Sequence, residues 1–146
     1  MFKVLISDSM STVAQEIFKK QNIETEIKTG LSEKEIINII SEYEALIVRS
    51  ATKVTKNIII AGKKLKVIGR AGAGVDNIDV VTAKEKNILV MNTPGGNTNA
   101  TAEHTLALIL SLLRKVPYSN DTTHKGKWEK KNIKGSELSN KTLGIV

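Results

Sequence analysis

The sequence predicts an α/β protein with a doubly wound, five-stranded parallel sheet, followed by the beginning of a second domain. Two observations predict the sheet. Over the first ninety residues strand-like runs recur five times, and each is followed by a segment carrying helix signals, which means a parallel sheet covered on both faces. A third observation separates the rest: after Pro94-Gly95-Gly96 the chain becomes first almost wholly apolar and then polar and lysine-rich.

The elements follow in order. Val4-Leu5-Ile6 reads as a short buried strand, ending in Ser7-Asp8-Ser9, residues suited to a turn and a helix start. Val13, Ala14, Ile17 and Phe18 fall on one face of a helix. Ile23 to Ile27 alternates as a second strand, and Gly30 marks a turn. Ser32 and Glu35 have the spacing of a capping box, with Leu31 and Ile36 as its hydrophobic staple. Ile36, Ile37, Ile39 and Ile40 then supply the buried stripe of that helix. Ala45 to Val48 is strand three, Lys56 to Ala61 a short helix stopped by Gly62, and Leu65 to Ile68 strand four. Asn77 to Lys86 is helical with Ile78, Val81 and Ala83 inward, and Ile88 to Met91 is strand five. Right-handed crossovers make such a sheet doubly wound, with a flavodoxin-like order. Ala100 to Val116 has hardly a polar face and is expected to be buried all round, ended by Pro117. Tyr118 to Asn140 reads as an extended arm. Leu143 to Val146 reads as the opening of another buried strand, so the chain is expected to be the N-terminal piece of a longer protein.

Composition narrows the function. The 146 residues carry 22 Lys+Arg against 15 Asp+Glu, a net charge of +7, yet aromatics are only 3%, which leaves little on which to stack bases. The lysines are scattered, the densest groups being Lys63 to Lys66 and Lys125 to Lys134, so a solvated surface and an anionic small molecule are expected rather than nucleic acid. No apolar run is long enough to span a bilayer, and no secretory signal opens the chain. The absence of Cys removes disulfides, thiolate metal sites and a catalytic thiol, and makes a cytoplasmic protein the expectation.

In open α/β sheets ligands bind beyond the carboxyl ends of the strands. The residues there are Asp8, Arg49-Ser50, Arg70 to Asp76 and Asn92 to Asn97. Arg49 and Arg70, at neighbouring strand ends, could grip a doubly anionic ligand; the alternative is surface arginines paired to Asp8 or Glu44. Gly72-Ala73-Gly74-Val75-Asp76-Asn77 follows a strand and opens a helix, like a dinucleotide fingerprint. Asn77 replaces the third glycine, however, and no acid follows the next strand, so the choice lies between an anion-binding backbone nest and a tight turn requiring glycine. A phospho-receiver reading of Asp8 fails because Arg49 stands where the accepting Asp would be. His104 and His124 have no carboxylate at useful spacing, which argues against a catalytic dyad.

Several stretches together resemble the D-2-hydroxyacid dehydrogenase family. They are Ile47 to Thr55, Val67 to Asp79, Val90 to Asn97, Ala102-Glu103-His104-Thr105, Gly126-Lys127-Trp128-Glu129, Gly135-Ser136-Glu137-Leu138 and Lys141 to Val146. They lie in order along nearly the whole chain. The Arg-Ser-Ala-Thr and Gly-Lys-Trp-Glu stretches point to the phosphoglycerate branch. The resemblance implies a substrate-binding domain over residues 1–96 and, over 97–146, the first helix, arm and first strand of a Rossmann NAD-binding domain. It implies that Arg49, Ser50 and Arg70 meet the phosphate or carboxylate of 3-phosphoglycerate. It also implies that backbone around Gly72 and Ala73 contacts substrate and nicotinamide, and that Asn97 lines the cleft. The family often carries Thr at the position of Ala73, so no side-chain hydroxyl is available to the cofactor there. The helix matching 98–116 would pack at a dimer interface, within a dimer or tetramer. The nucleotide fingerprint and the catalytic Arg, Glu and His would all lie beyond Val146, leaving this piece without turnover. The whole would be an NAD-dependent oxidoreductase at the entry to serine synthesis. The alternatives are another 2-hydroxyacid dehydrogenase, such as a hydroxypyruvate reductase, and a stand-alone flavodoxin-like binding or regulatory module.

Overall fold

The structure is a computed structural model and describes residues 2–145. The chain clusters into two compact units, Met1–Gly96 and Asn97–Val146. In the first, β1 (Lys3–Ile6), α1 (Thr12–Lys20), β2 (Glu24–Ile27), α2 (Glu33–Ile39), β3 (Ala45–Val48), α3 (Lys56–Ala61), β4 (Val67–Arg70), α4 (Val80–Glu85) and β5 (Leu89–Met91) alternate. A 3-10 turn at Ile40–Glu42 separates α2 from β3. The five strands form one sheet in the order β2-β1-β3-β4-β5, and every pairing is parallel.

The pleat divides the apolar runs between two faces. Leu5, Leu46, Val48 and Ile68 point to one face, where they pack with Ile36, Ile40, Ile58 and Ile59 of the α2 to α3 region. Val4, Ile6, Ala45, Ile47 and Val67 point to the other, against Met10, Phe18 and Ile23. This second face is less covered: an open apolar groove of about 430 Å³ runs along it, lined by Phe2, Ala14, Phe18, Gly69 and Met91 among others. The capping box forms as its spacing requires, with Glu35 N–H donating to Ser32 Oγ and Ser32 N–H to Glu35 Oε2 at 2.8 Å.

Several local expectations are corrected. On α1 only Ala14 and Phe18 face the sheet, while Val13 and Ile17, each 55% exposed, lie on the adjoining row. Strand four begins at Val67; Leu65 is buried in the turn before it. On α4, Thr82 and Ala83 are the buried residues and Val81 points to solvent, because Asp79 starts the helix later than Asn77 by capping Thr82 N–H. Along edge strand β2 the half-buried Glu26, rather than Ile27, meets the neighbouring element. Its carboxylate accepts from Lys28 Nζ at 2.8 Å, from the buried Tyr43 hydroxyl at 2.5 Å and from Lys3 Nζ at 3.0 Å. These three donors hold its pKa at about 2.

The second unit contains α5 (Thr98–Leu113) and α6 (Val116–His124). Pro117 therefore opens a helix rather than closing the region: Lys115 turns the chain in the left-handed conformation, and the proline sits in the first turn of α6, where its missing N–H costs nothing. The expected extended arm is helical as far as His124. No residue of α5 is buried, and Leu106, Leu108, Leu110 and Leu112 are exposed. The expectation of all-round burial is not met within one chain. Residues 143–145 carry no regular structure, and Val146 lies outside the described residues. No helix among the described residues is long and apolar enough to cross a membrane.

Candidate functional site

Parallel register brings the ends of β3 and β4 side by side, with Val48 opposite Arg70. Arg49-Ser50 and Arg70-Ala71 therefore leave the sheet together, beside the end of β1, where Asp8 lies. The loop from Arg49 to Thr52 is held from two directions. From below, the buried Asp8 carboxylate accepts Arg49 N–H at 2.6 Å, Thr52 N–H at 3.1 Å and the Thr52 hydroxyl at 2.6 Å. Burial opposes ionisation of Asp8, but the Thr52 hydroxyl and the loop amides outweigh it and hold the carboxyl below its ordinary pKa. The Ser7 hydroxyl donates to Thr52 Oγ1 at 3.0 Å and completes the buried chain. From the other side, Asn77 Nδ2 donates to the carbonyls of Arg49 at 2.8 Å and Thr52 at 2.6 Å.

With its amides and carbonyls engaged inward, this loop turns the Arg49 and Ser50 side chains to solvent. Arg49 Nη1 donates to Ser9 O at 3.1 Å. Neither arginine pairs with Asp8 or Glu44: Asp8 is committed to the loop, and Glu44 accepts the Lys3 backbone amide at 2.7 Å. Arg70 pairs instead with Asp76, Nη1 to Oδ1 at 2.5 Å, and its Nε donates to Arg49 O at 3.3 Å.

The glycines after β4 follow from this arginine. Neither Gly72 nor Gly74 has a positive φ, so neither is there for a left-handed turn. A Cβ on Gly72 would stand 3.4 Å from Arg70 Nε, and one on Gly74 would stand 3.1 Å from both Arg70 Nη1 and Asp76 Oδ1. The two glycines leave room for the guanidinium and its partner. The stretch departs from a dinucleotide fingerprint in that Asn77 stands at the third-glycine position and its side chain is committed to the Arg49 and Thr52 carbonyls. The Gly72 N–H is also engaged, with Arg70 O at 2.9 Å, while Ala73 N–H has no partner among the described residues. Asn92 Nδ2 donates to Ala73 O at 2.7 Å and Thr93 N–H to Gly72 O at 2.9 Å, which ties the end of β5 to the same loop.

Residues 4–142 match the catalytic domain of the D-isomer specific 2-hydroxyacid dehydrogenases. The chain belongs to this family. Among curated proteins it is 53% identical over 146 residues to a D-3-phosphoglycerate dehydrogenase of Synechocystis, covering all of this chain and 26% of that protein. It is 48% identical over 144 residues to the corresponding enzyme of Archaeoglobus fulgidus, covering 99% of this chain and 27% of that one. The chain thus spans about a quarter of the length of these relatives. Among solved structures, the TT0316 protein of Thermus thermophilus superposes with a TM-score of 0.84 at 29% identity, over 94% of this chain and 46% of that one. The NAD⁺-bound 3-phosphoglycerate dehydrogenase of Entamoeba histolytica does so with a TM-score of 0.73 at 33% identity, over 94% of this chain and 43% of that one. The sheet order of this 2-hydroxyacid dehydrogenase chain is that of a substrate-binding domain of the family.

Of the residues singled out in the sequence, Arg49, Ser50, Arg70, Gly72 and Ala73 lie along the carboxyl edge of β3 and β4. Asn97 belongs to the second unit, where it precedes α5 without a side-chain capping bond. Sequence reasoning names Asp8, Asp76 and Asn92 only as strand-end positions and Asn77 only as the residue in a glycine's place; the supporting roles of these residues and of Thr52 are not read from the sequence. Their only signal is position, since each directly follows a strand or lies in the loop after one. His124 Nδ1 lies 2.9 Å from Asn120 O, with no carboxylate contact, and no metal-binding cluster of acids and histidines occurs among the described residues.

Proposed function

We propose that this chain is the substrate-recognising N-terminal part of an NAD-dependent D-3-phosphoglycerate dehydrogenase. Such an enzyme oxidises the 2-hydroxyl of 3-phosphoglycerate to the keto acid. The observation that carries the reading is the pair Arg49 and Arg70 at adjacent strand ends, Arg49 on a loop preset by Asp8 and Asn77. Two guanidinium groups near an exposed serine suit a small dianion bearing a carboxylate and a phosphate. The relatives at 48–53% identity that carry this name support the phosphorylated substrate over an unphosphorylated hydroxyacid.

NAD supplies hydride acceptance in this reading, and its fingerprint is assigned to a part of the enzyme outside this chain, because Asn77 replaces the third glycine of the Gly72–Gly74 stretch. Residues 1–96 contribute substrate binding, with the Ala73 N–H open to substrate or nicotinamide, and residues 97–146 begin the nucleotide domain. Asn97, the first residue of the second unit, is assigned to substrate binding in this reading. Through α5 two copies associate. The reading is tested by steady-state kinetics on a protein extended to the relatives' length. Arg49→Ala and Arg70→Ala are each expected to raise KM for 3-phosphoglycerate roughly ten- to a hundred-fold, the loss of one charge-assisted contact of about 1.5–3 kcal/mol. One of the two should spare an unphosphorylated 2-hydroxyacid. Equal damage to both substrates at both positions would show that neither arginine reads the phosphate.

A further inference from the structure

Arg70 is not a vacant cation. Its side chain is only 12% exposed, whereas that of Asp76, its partner at 2.5 Å, is 82% exposed. The guanidinium is held at its Nε end by Arg49 O and flanked by Gly72 and Gly74, and its Nη1 end meets the exposed Asp76 carboxylate. Among the described residues Asp76 is the one carboxylate in salt-bridge contact with either arginine of the site.

We propose that Asp76 is an internal counter-ion that a substrate anion must displace from Arg70, which makes Asp76 a determinant of anion affinity at this site. The inference rests on the reading of Arg70 as an anion-binding residue. An incoming phosphate or carboxylate and the Asp76 carboxylate compete for the same Nη1 donors. While the site is empty, Asp76 keeps the recessed arginine paired and its loop in place. On binding, the exposed carboxylate swings into water, at little cost because most of it is already hydrated. The exchange favours a dianion over a monoanion, since only the former gives Arg70 a better partner than the one it surrenders. A pair that served only to orient Arg70 has the opposite signature, because losing Asp76 would then release the guanidinium and weaken binding.

The test is a titration of this 146-residue chain with inorganic phosphate and with 3-phosphoglycerate, followed by NMR at the Arg70 Nε–H and the Ser50 amide. Wild type, Asp76→Asn, Arg70→Ala and the double variant are compared. Asp76→Asn is expected to bind both anions roughly three- to fivefold more tightly, as befits an ion pair whose acidic partner is largely exposed. That gain should vanish in the Arg70→Ala background and shrink as salt is raised. Unchanged or weaker binding by Asp76→Asn overturns the inference, as does a gain that survives loss of Arg70, which would mark a general charge effect. If 3-phosphoglycerate moves neither reporter in wild type or Asp76→Asn, the anion-binding reading of Arg70 itself falls, and the inference falls with it. If the reporters move and depend on Arg70 while Asp76→Asn gives no gain, the reading stands and only the inference fails.

Discussion

Removing the Asp8 carboxylate should be the most damaging single polar change in the first unit. Asp8→Ala strips the acceptor from Thr52 N–H, Thr52 Oγ1 and Arg49 N–H at once. Arg49 is exposed and its amide can recover water, but Thr52 is buried. Two stranded buried donors at about 1–3 kcal/mol each give an expected loss of about 2–6 kcal/mol. That is a large part of the roughly 5–15 kcal/mol that holds an ordinary domain together. Asp8→Asn keeps one acceptor but turns an amide toward the loop N–H groups, and should cost about 1–3 kcal/mol. The pH dependence has a definite sign. Asp8 titrates lower in the folded protein than an ordinary aspartate, so its contribution is fully present above the ordinary aspartate range and is lost as pH falls through the lower, folded value. Asp8→Asn should lack this acid-labile component. Hydrogen exchange at Leu5 and Leu46, in the strands flanking the carboxylate, reads the stability of this unit without interference from the other. An Asp8→Ala chain within 1 kcal/mol of wild type would refute the argument that this carboxylate organises the loop.

Three further outcomes are expected. The chain alone should show no turnover and no appreciable NAD binding; a tight calorimetric NAD titration would contradict the assignment of the nucleotide site elsewhere. The exposed leucines of α5 form an apolar surface that soluble monomers seldom tolerate, so the chain should self-associate, most simply as a two-fold dimer. Leu110→Lys should disperse it and Lys63→Glu should not, and light scattering showing a folded wild-type monomer at high micromolar concentration would rule this out. Glu26, with its pKa depressed to about 2, contributes stability above about pH 4.5 that is lost as pH falls toward 2; Glu26→Gln should flatten acid unfolding over that window, as monitored by circular dichroism.

The sheet was legible because its central strands are buried on both faces, so Val4-Leu5-Ile6 and Ala45-Leu46-Ile47-Val48 read as apolar runs whatever their register. The start of α2 was legible because Ser32 and Glu35 interact locally. Inward faces of the short flanking helices were less so: on α1 and α4 the apolar residues Ile17 and Val81 point to solvent, and only tertiary placement decides which row meets the sheet. Pro117 is ambiguous by nature, because the first turn of a helix accepts what the end of another excludes. At the site, the arginines were visible as charges at strand ends. The loop supports were not, because Asp8 works through backbone amides 41 and 44 residues away, which leave no trace in residue type. The glycines after β4 suggested a phosphate loop, and only the path of the Arg70 side chain shows what their missing Cβ atoms make room for.

The central claim is that an anion is recognised at the carboxyl edge of β3 and β4, and amide chemical-shift mapping of this chain with 3-phosphoglycerate tests it most directly. The account predicts shifts concentrated in Arg49 to Thr52 and Arg70 to Asp76, weaker with unphosphorylated glycerate at equal concentration. Shifts spread instead over the lysines from Lys125 to Lys134, and equal for the two ligands, would contradict it.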